Sequence, residues 1–161
     1  MAKEKTAKTN AMRRLEREKI PYTAIPYECG EFVDGVSIAE QLGEDPALVY
    51  KTLVTVGKSG EHYVFVIPVA EEIDLKRAAG AVGEKSLEML HVKDLLSVTG
   101  YIRGGCTAIG MKKPFRTVVD SSARKLPELF VSGGKRGVQL RLTPEGLLKA
   151  CGGSYGDVAA R

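Results

Sequence analysis

Apolar residues recur along this chain with two periods, one suited to strands and one to helices. Tyr50-Lys-Thr-Leu-Val-Thr-Val56 and His62-Tyr-Val-Phe-Val-Ile-Pro-Val69 are dense in β-branched and aromatic residues and flank the turn-like Gly57-Lys-Ser-Gly60, which predicts a β-hairpin. Thr117 to Asp120, Leu129 to Ser132 and Gly137 to Leu142 read as further strands between Gly-rich or basic turns, and Glu84 to Glu88 as a short one. Helical spacing begins at Asn10 and runs through Ala11, Met12 and Leu15 to about Lys19, with Thr9 or Asn10 as cap and Pro21 beyond the end. Val36 to Leu42 closed by Gly43, a stretch opening at Asp74, Val92 to Ser97 ending near Gly100, and a stretch opened by Thr143-Pro144-Glu145 predict further helices. Asp45-Pro46 predicts a single helical turn, Tyr22 to Tyr27 an extended piece, Glu28 to Gly35 a polar loop, and the tail short helical pieces. With no repeat, low-complexity stretch or linker, the expectation is one α+β domain over residues 1–161, a mixed, mostly antiparallel sheet flanked by helices.

Composition narrows the class. A chain of 161 residues with 43% hydrophobic residues buries enough surface to fold without staples. Cys29, Cys106 and Cys151 are far apart and form no ligand spacing, so neither a disulfide framework nor a metal site is expected, and the compartment reads as reducing. The longest apolar runs are far shorter than a membrane span, and MAKEKTAKTN has no apolar core after its charges, which leads to the expectation of a cytoplasmic protein away from membranes.

The net charge of +4 conceals a segregation that the total does not convey. Residues 1–19 hold seven basic and three acidic side chains, residues 20–98 six and thirteen, and residues 99–141 nine and two. The last segment suggests a surface for a phosphate-rich partner; clustered solvated faces are the plainer reading of such runs.

No nucleophile–base motif, phosphate loop or dinucleotide fingerprint occurs, and His62 and His91 read as surface or core-edge residues. Cys106 follows two glycines in the basic segment, where its pKa would fall; with no partner histidine, packing is the favoured role. Glycines are the unusual feature. Gly100-Tyr-Ile-Arg-Gly-Gly-Cys-Thr-Ala-Ile-Gly110 and Ser132-Gly-Gly-Lys-Arg-Gly137 are either hairpin turns or backbone nests for a carbonyl oxygen, carboxylate or phosphate. Together in the basic segment, they tip the reading towards a site. Lys51, at the start of a strand where lysine is disfavoured, is either a snorkelling edge residue or a fixed cation for an ester or phosphate oxygen.

Lys51-Thr-Leu-Val, Ile67-Pro-Val with Ile73-Asp-Leu-Lys76, Thr99-Gly-Tyr-Ile-Arg-Gly-Gly, Gly110-Met-Lys-Lys113 and Val131-Ser-Gly-Gly-Lys-Arg-Gly137 together resemble the YbaK/EbsC family of bacterial Cys-tRNA(Pro) deacylases. The likeness runs in order from Asn10 to Leu148. It implies a stand-alone relative of the prolyl-tRNA synthetase editing domain, acting on the tRNA(Pro) acceptor end, without a cofactor and in contact with that synthetase. It implies Lys51 as the essential lysine, Gly105 in the substrate loop, Ser132 and Gly133 at the terminal adenosine, and Tyr27 and Thr107 at the pocket. It also implies that the substrate's own thiol attacks its ester. Arg103, Lys112, Lys113, Arg116, Lys135 and Arg136 are then expected to meet tRNA phosphates. Two departures touch the pocket: Thr107-Ala108 stands where most relatives have Ser-Pro, and Gln139 where an acidic residue is often found. They leave open a deacylase for another small amino acid, and a binding module without turnover is the other alternative.

Overall fold

The computed structural model describes residues 8–28 and 35–160, so Cys29 and most of the expected polar loop lie outside the described residues. Helix α1 (Asn10–Arg17) is capped by Thr9, whose side chain accepts from the Met12 N–H, and buries Ala11, Met12 and Leu15. It ends before Lys19, which takes a left-handed conformation. Helix α2 (Gly35–Leu42) and a 3-10 turn (Pro46–Leu48) capped by Asp45 precede the main hairpin.

That hairpin is β2 (Tyr50–Gly57) against β3 (His62–Pro68), antiparallel with Tyr50 opposite Pro68 and Lys51 opposite Ile67. Strand β3 lies in the middle of a five-stranded sheet ordered β4-β2-β3-β5-β8, with β4 (Leu87–Met89), β5 (Arg116–Asp120) and β8 (Ser154–Gly156). Val64 and Val66 join one core with α1 and the later strands, while Phe65 and Ile67 join another with α3 (Leu75–Val82). Burial of both faces explains why β3 reads as a continuous apolar run rather than an alternation.

The remaining strands form a second, antiparallel sheet, ordered β1 (Thr23–Pro26), β7 (Val138–Leu142) and β6 (Leu129–Ser132). The fold class is the expected α+β, but the expected single sheet is divided in two, joined by a bridge between Val49 and Phe130. The tail corrects another expectation: after α5 (Pro144–Cys151) and its left-handed Gly152 cap, the chain forms β8, parallel to β5, instead of short helices. Beyond β8, the backbone N–H groups of Val158 and Ala159 donate to the buried Asp120 carboxylate at 3.1 Å each. Helix α4 (Val92–Thr99) closes at Gly100 and delivers the chain to the first Gly-rich loop. Among the described residues, no helix is long and apolar enough to cross a membrane.

Candidate active site

A cavity of about 460 Å³ opens at the seam between the two sheets. The beginning of β2 supplies Tyr50, Lys51, Thr52 and Leu53, and α2 supplies Gly35, Val36 and Ile38. Arg103, Gly104 and Cys106 come from the first Gly-rich loop, Ser132 from the end of β6 and Gln139 from β7. One fold feature thus brings together Lys51 and both Gly-rich loops, which lie far apart in sequence. Among the described residues, no Asp or Glu lines it.

Lys51 is half-buried, and among the described residues its ammonium has no hydrogen-bonded or ion-paired partner. A lysine held at a cavity wall without a carboxylate is available to an anionic or carbonyl oxygen. In the neighbouring loop, the N–H groups of Gly104 and Cys106 donate to no acceptor among the described residues. Gly105 between them differs from expectation: it does not line the cavity, and its N–H donates to the Ile102 carbonyl at 2.9 Å. Its importance is steric, since a Cβ there would stand 2.8 Å from the Lys135 Cα and 3.1 Å from the Arg136 nitrogen. The two Gly-rich loops therefore touch backbone to backbone at Gly105, a contact closed to any residue with a side chain unless the second loop moves.

Further bonds fix this pair of loops. Arg136 Nε donates to the Arg103 carbonyl at 3.0 Å, and the Thr9 hydroxyl donates to the Gly133 carbonyl at 2.6 Å. The buried Tyr101 hydroxyl donates to the Ile109 carbonyl at 2.6 Å. The loop that lacks the family's proline is thus held by side chains. Thr9 was legible as a helix cap, but its second bond depends on a tertiary contact.

Several expected site residues lie elsewhere. Thr107 is buried outside the cavity lining, where its hydroxyl faces the Ile109 N–H at 3.5 Å. Tyr27 continues the pairing of β1 with β7 through its N–H to Gly137, 2.9 Å, and does not line the cavity. Gly133 is also outside the lining, its N–H paired with the Val138 carbonyl at 2.9 Å. Lys112 and Lys113 line a separate cavity of about 250 Å³ together with Arg14 and Cys151. Lys112 Nζ donates to Ser97 O, while Arg116 reaches the carbonyls of Ala81 and Val82 at the end of α3. Such bonds suit cations at helix C-termini. Only Arg103, Lys135 and Arg136 of the basic set adjoin the contact between the two loops.

Cys106 does not behave as the basic segment suggested. Burial pushes its thiol up to about 12 despite a hydrogen bond with Thr99, so it is a neutral thiol near pH 7 and a poor nucleophile. Neither histidine lines the cavity; His62 packs edge-on to Phe115 with ring centroids 5.7 Å apart.

The pattern over residues 34–150 matches the family described as the aminoacyl-tRNA editing domain. The chain belongs to that family. A protein of Enterococcus faecalis named as a Cys-tRNA(Pro)/Cys-tRNA(Cys) deacylase, EbsC, is 46% identical over 163 residues, spanning 100% of this chain and 99% of its relative. A crystal structure described as a trans-editing enzyme for prolyl-tRNA synthetase superposes on the editing domain with a TM-score of 0.80 at 24% identity, covering 97% of this chain and 100% of the other. A hypothetical protein of known structure gives 0.85 at 19% identity, covering 94% and 99%. At such identities the structural likenesses bear on the fold alone.

Proposed function

We propose that this editing domain hydrolyses the ester of tRNA(Pro) mischarged with cysteine, acting in trans in the cytoplasm, with the whole chain working as one domain. The observation that carries the reading is a cavity with a lysine and unspent backbone donors but, among the described residues, no activated nucleophile of its own. Such a wall suits a substrate that brings the nucleophile with it, and a cysteinyl ester does. The sulfur attacks its own ester carbonyl; a sulfur–carbon bond forms, the ester carbon–oxygen bond breaks, and the thiol proton passes to the departing ribose oxygen. Water then opens the cyclic thioester to free cysteine.

Holding sulfur and carbonyl in attack geometry lowers the barrier by several kcal/mol, up to about 7–11 in favourable intramolecular cases. The N–H groups of Gly104 and Cys106, on either side of the Gly105 that the family resemblance placed in the substrate loop, face the developing oxyanion, and a fixed donor there contributes about 3 kcal/mol. Lys51 and Arg103 add positive charge for the oxyanion and thiolate. Ser132 stands at the same wall, suited to the terminal adenosine, and Gly105 sets the spacing of the two loops. The similarity to a relative named for the same substrate supports the choice of cysteine on tRNA(Pro); prolyl-tRNA synthetase is the partner that trans-editing implies.

The test offers the protein Cys-, Ala- and Pro-charged tRNA(Pro) and follows release of free tRNA. Rapid loss of cysteine alone is expected. Preferential loss of alanine would point to another small amino acid, and no loss from any would favour a binding module.

Because the Cys106 thiol is neutral and the nucleophile is the substrate's, Cys106→Ala should keep kcat/KM within a factor of about three of the parent. Loss of turnover in a folded Cys106→Ala protein, seen by circular dichroism and single-turnover kinetics, would make the protein's own thiol the nucleophile.

The basic rim yields a separate expectation. If Lys135 and Arg136 neutralise phosphates of the single-stranded acceptor end, the double change Lys135→Gln, Arg136→Gln should flatten the plot of log affinity against log salt by about 0.7 per phosphate lost. Hydrolysis of a cysteinyl-adenosine fragment, which lacks those phosphates, should change little. An unaltered salt slope would reduce these side chains to solvated charges, while an equal loss on the fragment would assign them to loop support.

A further inference from the structure

The second cavity, of about 250 Å³, has no part in the deacylation chemistry. Its floor is apolar: Ala108 and Ala150 are buried there, and Met111 and Phe115 are partly so. Burial pushes the Cys151 thiol beside them up to about 11, which leaves that wall neutral near pH 7. The rim is cationic. Arg14, Lys112 and Lys113 line it, and both lysines are exposed. Arg14 is ion-paired with Glu18, one turn further along the chain, whereas Lys112 uses one of its three N–H groups on the Ser97 carbonyl. The two acidic residues of the 99–141 segment are engaged elsewhere: Asp120 accepts from the Val158 and Ala159 N–H groups, and Glu128 lies 3.7 Å from Arg141 Nε.

An apolar floor below a pair of ammonium groups suits a planar ring that carries a phosphate. A bare anion would leave the floor uncovered, and an apolar ligand would make no use of the lysines. The volume sets a further limit. Pockets that enclose whole drug-sized ligands start at about 300 Å³, so this one takes a single base and not a base pair. A base that enters is therefore unpaired, the state in which RNA ends and loops are read by stacking.

The place of the cavity in the fold indicates which RNA. One Gly-rich loop lines both cavities, with Arg103, Gly104 and Cys106 at the first and Ala108 and Gly110 at the second. The four residues from Cys106 to Gly110 span at most about 14 Å, a distance that a few linked nucleotides cover. The spacing is fixed by packing. Gly110 has φ +74°, and a Cβ there would stand 3.0 Å from the Asn10 carbonyl carbon and oxygen, so the loop presses against the start of α1.

We propose that the second cavity binds an unpaired nucleotide upstream of the terminal adenosine on the same RNA strand, with the base on Met111 and Phe115 and its phosphate at Lys112 and Lys113. The assignment rests on the reading of the first cavity as the aminoacyl-adenosine pocket. It adds a second grip on the strand, displaced from the ester, which sets the direction from which the acceptor end enters.

The test uses three non-hydrolysable ligands that end in the same adenosine joined to cysteine by an amide: the adenosine alone, a trinucleotide, and a trinucleotide whose upstream sugars are abasic. Calorimetry should show the abasic ligand binding about tenfold more tightly than the adenosine, and the complete trinucleotide about tenfold more tightly again, the increment of one stacked base. Lys113→Gln should remove most of the abasic ligand's gain, and Lys113→Arg should restore it. In the wild-type protein, the ring current of the base should shift the Met111 methyl resonance with the complete trinucleotide and not with the abasic ligand or the adenosine, a readout independent of whether the variants fold. A trinucleotide that binds no better than the adenosine, an abasic ligand that equals the complete one, or a Met111 methyl that responds alike to both would overturn the assignment. So would an equal Met111 shift from cytidine 5′-monophosphate at the trinucleotide's saturating concentration, which would make the cavity a site for free nucleotides. If any of these occurs while Cys-tRNA(Pro) is hydrolysed, deacylation stands and the second cavity is refuted as a strand site. The graded affinities and the selective Met111 shift without hydrolysis would refute deacylation and leave the nucleotide site standing.

Discussion

Lys51→Ala is expected to lower kcat/KM for Cys-tRNA(Pro) by about 10²–10³-fold, the range observed when a fixed oxyanion donor is removed from an enzyme. The size follows from the position: a half-buried lysine at the cavity wall that, among the described residues, has no partner and shares the lining with no carboxylate. Among the described residues the substitution removes no ion pair, and it leaves the antiparallel pairing of β2 with β3 intact, so the melting temperature should move little. Single-turnover kinetics beside a thermal melt separate the effects. Activity within a factor of about three of the parent, with unchanged affinity, would remove Lys51 from the chemistry.

Asp120→Ala is expected to have the largest effect on stability, a loss of about 3 kcal/mol, because it strips a charged acceptor from several backbone donors. The carboxylate is fully buried at the end of β5 and accepts from the N–H groups of Val158, Ala159 and Ser122 at 3.1, 3.1 and 3.2 Å. Burial alone would raise its pKa, but the hydrogen bonds from Ser122 and from the Ala159 and Val158 N–H groups outweigh it and hold the group below the ordinary carboxylate value. The sign of the pH dependence follows. A depressed folded pKa means that the stabilisation is fully present above the unfolded-state value, about 3.9, and is lost as pH falls through the folded value. The parent's urea midpoint should therefore fall on acidification through that window, and the Asp120→Ala midpoint should be lower at pH 7 with a shallower acid limb. Parallel acid limbs in the two proteins would assign the pH dependence to other carboxylates.

Much of the framework was legible because local chemistry and tertiary structure agree. The β2–β3 hairpin carries its apolar density and turn in contiguous residues, and α1, α3 and α5 display their caps as Thr9, Asp74 and Thr143. The three-residue strand β8 has no period of its own and exists through its pairing with β5, so nothing local distinguished it from a helical tail. Division of the sheet depends on which strands meet, which no single segment encodes.

The same boundary runs through the site. Lys51 and the paired glycines stand out by residue type, and both loops do meet. Which N–H groups are already used depends on the turn each loop adopts, so Gly105 was indistinguishable from Gly104 until its bond to Ile102 was visible. Lys112 and Arg116 share the charge of Arg103, but their side chains reach helix-end carbonyls, contacts fixed by packing. The α2 residues Val36 and Ile38 carried no chemical signal at all. Gln139 stood out only as a departure, and among the described residues its buried side-chain oxygen meets no donor.

In the proposed mechanism the cavity supplies position and charge while the substrate supplies the sulfur. The most direct measurement compares single-turnover release of tRNA(Pro) charged with cysteine and with 2-aminobutyrate, whose methyl group replaces the thiol at nearly the same size. Rapid release of cysteine is expected, with no release of 2-aminobutyrate above the uncatalysed rate, although the second substrate should still bind and compete with the first. Equal rates for the two would contradict it, because the nucleophile would then have to come from water or the protein.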